Sequence, residues 1–324
     1  MLRVALAGAG MISAFHLPAW RAAGAEVVAL TDPDAVRARA RADASGVPRI
    51  HVDAAQMLDA ERPDALDIAS PRETHAALVR LAAARGIPVL CQKPLCPTLA
   101  EAEALATEVT GRTRLMVHEN WRFRPHYRAL RRWMEEGRIG TPTSLTILHR
   151  SSGFLPGPDG RRPALQRQPF MAQEPRLMIA ETLIHHLDVA RWLMGPLTLL
   201  AARRQRLVDA CKGETAATLL LATRDGAPVF VQGHGAAPGL PPRARDEVTL
   251  TGTRASATLD GTTLRLRGPG VEEDRSWDEH AAYQASFDGC IAHFVACLRD
   301  DRPFETSPED NLETLRLVEE AYAA

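Results

Sequence analysis

Lysine is almost missing from this chain. Of 39 Lys and Arg residues only Lys93 and Lys212 are lysines, and arginine carries the rest of the positive charge. A guanidinium does not give up its proton in a protein, whereas an ammonium responds to its surroundings. Lys93, directly before Pro94, is therefore a candidate for chemistry as well as for charge. Net charge is scarce too: 39 basic against 40 acidic residues leave −1, which offers no field for nucleic acid or an anionic membrane. No apolar run approaches the roughly 20 residues that span a bilayer. No basic leader and cleavage site precede the first strand-like run, so a cytoplasmic protein is expected. Cysteine is sparse and scattered: Cys91, Cys96, Cys211, Cys290 and Cys297 form no CxxC pair. An odd set without metal-type spacing fits reduced thiols better than disulfides or a zinc site.

What is present is a soluble, globular composition, 45% hydrophobic and 24% charged, on a chain of 324 residues that is too long for one ordinary core. Leu2 to Ala7 reads as a strand. Gly8-Ala9-Gly10-Met11-Ile12-Ser13 follows at once, and a helix pattern then runs to about Ala23. Strand, glycine turn and helix are the context of a dinucleotide fingerprint. Gly8 permits the tight turn, and Gly10 lets backbone N–H groups reach a pyrophosphate at a helix N-terminus. Ser13 stands where a third glycine is usual, and its side chain is small enough for close helix packing. A second strand, 26–31, ends in Asp32. A carboxylate there accepts hydrogen bonds from both ribose hydroxyls and repels a 2′-phosphate, so NAD is favoured over NADP. Asp32-Pro33-Asp34 would also serve as the cap of the next helix.

The alternation continues with strands at 65–69, 87–90 and 114–117 and helices at 74–85 and 99–110, which predicts a parallel sheet with right-handed crossovers. Ligands bind at the carboxyl ends of such strands. Gly8, Asp32, Ser70, Lys93 and His118-Glu119-Asn120 all fall there. Further on, 121–136 and 179–194 read as helices. Residues 151–175 form a Gly- and Pro-rich loop of the kind that often carries a binding function. Strands at 143–150, 199–207, 215–223, 227–234, 246–251, 255–260 and 263–267, mostly joined by short turns, predict antiparallel pairing. Such a sheet must cover one face with helices or another subunit, so a homodimer or homotetramer is expected. Helices are predicted again over 287–298 and from Ser307 onward. Glu181 and His185 are i,i+4 on one helix face, which reads equally as an ordinary ion pair. The adjacent His185 and His186 splay apart, so no metal set is expected. Arg161, Arg162, Arg167 and Arg176 in or beside the loop suit an anionic group such as a sugar-acid carboxylate.

Several of these stretches together resemble the glucose–fructose oxidoreductase / inositol dehydrogenase (Gfo/Idh/MocA) family. The matching stretches are Gly8-Ala9-Gly10, Asp32, Ser70-Pro71 with His75, Gln92-Lys93-Pro94, Glu119 to Pro125, Glu181 to Asp188 leading to Trp192-Leu193-Met194-Gly195, and Asp310-Asn311-Leu312 onward. The resemblance implies an α/β chain. Residues 1–121 would be an N-terminal Rossmann domain with a doubly wound parallel sheet. Residues 122–306 would be an α+β domain with a large open, mainly antiparallel sheet for substrate binding and oligomerisation. Residues 307–324 would be a helix packing back towards the first domain.

It also implies NAD(P)-dependent hydride transfer at a hydroxyl-bearing carbon of a sugar, sugar acid or polyol. In that reading Lys93, His185 and Glu181 are catalytic. Gly8, Gly10, Met11, Ile12, Asp32, Ser70, Pro71, His75, Gln92, Lys93, Asn120 and Arg122 bind the cofactor, and Arg122, Arg167, Arg176 and His186 face the substrate. Two positions depart from the family: Gln92 replaces the usual glutamate and removes a negative neighbour from Lys93, and Glu181 replaces the usual aspartate. A non-catalytic NAD-binding regulator, or a hydrolase or lyase that recycles its NAD, would share the same fold.

Overall fold

The computed structural model describes residues 1–324, and the chain forms two compact units. The first joins Met1–Phe123 to Tyr283–Leu315, and the second joins Arg124–Ala282 to Arg316–Ala324. The sequence placed a boundary near 306. The structure assigns Tyr283–Leu315 to the first unit because Phe287, Cys290, Ile291 and Phe294 bury in one cluster with Val4, Trp20, Leu90 and Met116. No helix is long and apolar enough to cross a membrane.

In the first unit β1 (Leu2–Ala7), α1 (Ser13–Ala22), β2 (Ala25–Thr31), α2 (Ala35–Ser45), β3 (Arg49–His51), α3 (Ala54–Glu61), β4 (Ala65–Ile68), α4 (His75–Ala83), β5 (Val89–Gln92), α5 (Leu99–Val109) and β6 (Leu115–His118) alternate. The six strands pair in parallel in the order β3-β2-β1-β4-β5-β6. Strand order reverses between β1 and β4, which creates a crevice at their carboxyl ends. The central strands are buried on both faces, as the run Val4-Ala5-Leu6-Ala7 shows. Asp34 caps α2 by accepting from the N–H groups of Val36 and Arg37. Strand β3 escaped the sequence reading because three residues, two of them polar, carry no usable period.

The second unit begins with α6 (Pro125–Glu135), β7 (Pro142–Arg150), α7 (Pro163–Arg167), a π-helical turn (Met178–Leu183) and α8 (Ile184–Met194). It continues with β8 (Leu197–Gln205), β9 (Ala216–Thr223), β10 (Pro228–His234), β11 (Arg245–Gly252), β12 (Ser256–Asp260), β13 (Thr263–Gly268) and β14 (Val271–Ser276). Helix α9 (Glu279–Arg299) leaves this unit for the first, and α10 (Pro308–Ala323) returns. The eight-stranded sheet runs β14-β13-β12-β11-β7-β10-β9-β8. One pair departs from the antiparallel expectation: β7 and β10 are parallel. Tight turns join consecutive members of β9–β10 and of β11–β14, whereas β7 reaches its neighbour only through a long loop and α8. Strand β14 was missed because Val-Glu-Glu-Asp-Arg-Ser has no apolar face, which suits a charged sheet edge.

His126, near the start of α6, is 1% exposed, and neither ring nitrogen has a hydrogen-bond partner. Burial, aided by the Arg124 charge, holds its pKa down from 6.5 to about 3. An unfolded histidine takes up a proton below its ordinary value while the folded one does not. Stability is therefore lost as pH falls from 6.5 towards about 3, at about 1.4 kcal/mol per pH unit. His126→Phe, which keeps a ring against Tyr127 and Trp277, is expected to remove roughly 2 kcal/mol of the loss between about pH 6.5 and 5. Urea titrations at both pH values check this, and an unchanged acid limb refutes it.

Candidate active site

The glycine turn is built by exclusion. Gly8 sits at φ +108°, and a Cβ there would lie 2.5 Å from the Ala69 carbonyl oxygen, so only glycine lets the β1 and β4 ends approach. Its N–H donates to the Thr31 carbonyl at 2.8 Å. A Cβ on Gly10 would meet nothing within 4 Å, so the space above the turn is open for a phosphate. Ser13 occupies the third position without strain: it is fully buried, and its hydroxyl donates to the Gly10 carbonyl at 2.6 Å. Met11 is exposed, and Ile12 packs against the apolar clusters beneath.

Asp32 ends β2 with its carboxylate fixed. Oδ2 accepts from the Ala9 N–H at 2.8 Å, and Oδ1 accepts from the Asp34 N–H at 2.9 Å. Each oxygen keeps a further lone pair, so the group can still accept from ribose hydroxyls. Arg37 Nη1 lies 3.6 Å from Asp32, and Arg41 donates to the Gly10 carbonyl at 3.2 Å. Together with Ala9 and Ala40 these two arginines line a surface recess beside the turn. An open turn, an anchored carboxylate and two nearby guanidiniums fit a dinucleotide with an anionic bridge.

Ser70 and Pro71 follow β4, and Lys93 follows β5. His75 ties the two segments: Nδ1 lies 2.9 Å from the Pro94 carbonyl and Nε2 lies 3.0 Å from the Ser70 carbonyl. Burial holds this ring below its ordinary pKa against the pull of both carbonyls. Lodged between these two carbonyls, with a single N–H to donate to one of them, His75 shapes the edge of the crevice. Lys93 is half-buried and joined to Pro94 by a cis peptide bond, and its N–H donates to Gln92 Oε1 at 3.0 Å. Beyond β6, Asn120 Nδ2 donates to Ser286 at 2.7 Å. Arg122, 2% exposed, reaches Asp310 at 2.7 Å and the Glu305 carbonyl at 3.2 Å. The structure thus gathers Gly8, Gly10, Asp32, Ser70, Pro71, His75, Gln92 and Lys93 along the carboxyl edge of one sheet, with Asn120 and Arg122 tethered to the α9–α10 segment.

In the second unit the helix predicted from 179 opens instead with the π-helical turn, in which Glu181 lies, and His185 stands in the first turn of the regular helix at 7% exposure. Widened turns re-aim the side chains they carry and recur at functional sites. His186 turns elsewhere. Its Nε2 donates to Asp246 Oδ1 at 2.9 Å, and its Nδ1 lies 3.2 Å from the Thr182 carbonyl. His149 Nδ1 donates to the same oxygen at 2.7 Å, Tyr127 donates to Oδ2 at 3.0 Å, and Arg124 stands 3.5 Å away. Burial alone would push the Asp246 carboxyl up, but the charge and hydrogen bonds of His186 and His149 outweigh it and hold the group well below its ordinary range. The ligand atoms of His149, His186 and Asp246 lie within 4.8 Å of one another. In the arrangement seen here the facing nitrogens of His149 and His186 both donate to the Asp246 carboxylate.

Arg176 gives both guanidinium nitrogens to Glu319 at 2.7 Å, above the Tyr322 ring, and Arg162 donates to the Phe154 carbonyl at 2.7 Å. The Arg176 fork is thus occupied and one Arg162 nitrogen is engaged, while Arg167 ends the short α7 and Arg161 is exposed. The sequence reading missed Asp246 and His149 as well as His16 and Asp67 of the first unit, while His118 was placed at the strand ends without a role. One signal was available: an aspartate inside the run Ala65-Leu66-Asp67-Ile68 must find partners once that strand is central.

A glycine turn at the switch point of a parallel sheet, with a carboxylate fixed at the end of the next strand, defines a dinucleotide-binding Rossmann protein. Residues 2–119 match the oxidoreductase family with an NAD-binding Rossmann fold, and residues 127–258 match the GFO/IDH/MocA C-terminal domain. The chain belongs to the Gfo/Idh/MocA family. It is 40% identical over 335 residues to a D-apiose dehydrogenase of Paraburkholderia graminis, covering 98% of this chain and 86% of that protein. It is 35% identical over 215 residues to inositol 2-dehydrogenase 4 of Saccharopolyspora erythraea, covering 63% of this chain and 58% of that one. Among solved structures it is similar to an oxidoreductase from Agrobacterium radiobacter in complex with NAD+, L-tartaric acid and magnesium. The TM-score there is 0.91 at 31% identity, covering 99% of this chain and 95% of the other.

Proposed function

We propose that this chain is an NAD-dependent sugar dehydrogenase that oxidises a hydroxyl-bearing carbon of a small sugar, with D-apiose as the first substrate to test. The observation that carries the reading is the 40% identity to a D-apiose dehydrogenase across 98% of the chain. A second D-apiose dehydrogenase, from Rhizobium rhizogenes, is 32% identical over 99% of the chain, which supports the same substrate.

When bound, the nicotinamide takes the hydride. The protein must accept the hydroxyl proton and stabilise the oxygen that is losing it. His185 is assigned the proton, because a neutral imidazole accepts one near neutral pH. Glu181 orients that ring and balances the charge it gains. Lys93 hydrogen-bonds the reacting oxygen, and its positive charge favours the alkoxide. Asp32 holds the adenosine ribose, and the Gly8–Gly10 turn admits the pyrophosphate. The pairing of Arg176 with Glu319 takes that arginine from a substrate carboxylate and favours a neutral sugar over a sugar acid. Exposed Leu200 and Leu220 on β8 and β9 support self-association through the open face of the large sheet, as a homodimer or homotetramer.

The test is NAD+ reduction across D-apiose, other aldoses, inositols and a sugar acid. The highest kcat/KM is expected for D-apiose, with the sugar acid at least about tenfold lower, because an unpaired carboxylate is costly to bury. NADH formation with none of the panel, or a preference for the acid over its neutral parent, overturns the reading.

A further inference from the structure

The departure at position 92 is matched by its surroundings. Asp67 on β4, Gln92 on β5 and His118 on β6 share one face of the parallel sheet, Gln92 and His118 as direct register partners. His16 and Trp20, one turn apart on α1, cover that face. Asp67, His16, Trp20 and His118 are fully buried and Gln92 is 9% exposed. His16 Nδ1 lies 2.8 Å from Asp67 Oδ2, to which Trp20 Nε1 also donates at 2.6 Å. Gln92 Nε2 lies 3.1 Å from His16 Nε2 and 3.2 Å from His118 Nδ1. The two imidazole centroids lie 4.3 Å apart with the rings tilted by 30°, and Phe287 of α9 packs on both.

Donor and acceptor are forced at every link. The Lys93 N–H can only donate, so the atom of Gln92 facing it is the oxygen, and the amide nitrogen must point at the histidines. The Asp67 carboxylate can only accept, so His16 carries its proton on Nδ1 and offers a lone pair at Nε2. One amide hydrogen fills that lone pair. The other fills Nδ1 of His118, whose proton therefore sits on Nε2. An imidazolium at either place would press an N–H against an N–H.

From this chain of bonds we infer that Gln92 is a positioning residue: its amide holds His16 and His118 neutral, each in a single tautomer, and its carbonyl fixes the backbone that presents Lys93. The inference rests on the dehydrogenase reading for its effect on turnover, but not for its effect on the histidines. A glutamate at 92 keeps an oxygen for the Lys93 N–H and sets its other oxygen against two lone pairs. His118 can answer by moving its proton to Nδ1. His16, held by Asp67 on one side, can answer only by becoming an imidazolium between two carboxylates. Besides Asp67, the titratable neighbours of the pair in sequence are Cys91 and Lys93 on the β5 side and Glu119 after β6, while α9 presents the Phe287 ring.

The test joins 15N-resolved histidine NMR with steady-state kinetics on the full-length holoenzyme, using His16→Asn and His118→Asn to assign signals. The wild type is expected to show His16 as the Nδ1–H and His118 as the Nε2–H neutral form. In Gln92→Glu, His16 is expected to show two N–H signals. Gln92→Met removes the bridge with little change of shape. Its kcat is expected to fall by about tenfold to a hundredfold through misplaced Lys93, with KM for NAD+ within about threefold. Gln92→Glu is expected to recover at least half of that loss. Wild-type tautomers other than these, or His16 unchanged in Gln92→Glu, overturn the inference even if Gln92→Met fails to fold. Altered tautomers with unchanged kcat refute the link to Lys93 alone. Wild-type protein with the expected tautomers but no NADH formation from any of the panel would be a failure of the dehydrogenase reading and not of this inference.

Discussion

Lys93→Ala is expected to lower kcat/KM by about 10²- to 10⁴-fold, the range over which a positioned acid–base or charge-stabilising group acts. The loss should fall on kcat. Alanine leaves the turn's anchors intact, because the Lys93 backbone N–H donates to Gln92 and His75 holds the Pro94 carbonyl independently of the lysine side chain. Affinity for NADH, measured by fluorescence titration, should therefore stay within a few-fold. Lys93→Arg should recover little, because a planar fork on a different stem places its charge elsewhere and cannot act as a compact donor. His185→Ala should show a comparable loss of kcat. Its pH profile should lose the limb set by the imidazole, while Lys93→Ala keeps it. A kcat/KM within about threefold of wild type for Lys93→Ala would remove that residue from the reaction.

Asp246→Ala is expected to cost about 3–5 kcal/mol of folding stability, the penalty for stripping one partner from a buried charged network. The carboxylate is 3% exposed and serves His149, His186, Tyr127 and Arg124 at once, which links β7, α6 and α8 to β11. Removal leaves a buried hydroxyl and two ring N–H groups short of an acceptor beside a guanidinium. Asp246→Asn should lose less, since one oxygen still accepts from both histidines while the amide hydrogens oppose Tyr127 and Arg124. The folded carboxyl is held below its ordinary value of 3.8. The stability it contributes is therefore present above that pH and lost as pH falls beneath it. Urea midpoints for the three proteins at neutral pH test the order. A loss under about 1 kcal/mol in Asp246→Ala would show that the network carries no net stability.

Legibility in the sequence followed the range of the signals. The glycine turn, Asp32 and the alternation of strands and helices are local patterns, and the first sheet emerged from them nearly complete. The second sheet was visible as strands, but its one parallel pairing depends on where β7 lands after a long excursion, and no local pattern encodes that. Site residues within motifs were nameable in advance. Asp246 was not, because its meaning comes from four partners as many as 122 positions away. Position 92 lay between these cases. The missing carboxylate was visible, while the two histidines that make an amide the better choice are 76 and 26 residues distant.

The first unit draws its core from two stretches far apart in the chain. Phe287, Ile291 and Phe294 complete the cluster begun by Val4 and Trp20, so a nascent chain that has emerged only through β6 holds six strands with an unsealed greasy flank. During synthesis the cofactor-binding half must wait, exposed, until some 160 further residues have left the ribosome (283 − 123). For this unit the order of translation and the order of folding run opposite ways: its earlier stretch is completed late, and chaperone protection matters most while that stretch lacks Tyr283–Leu315.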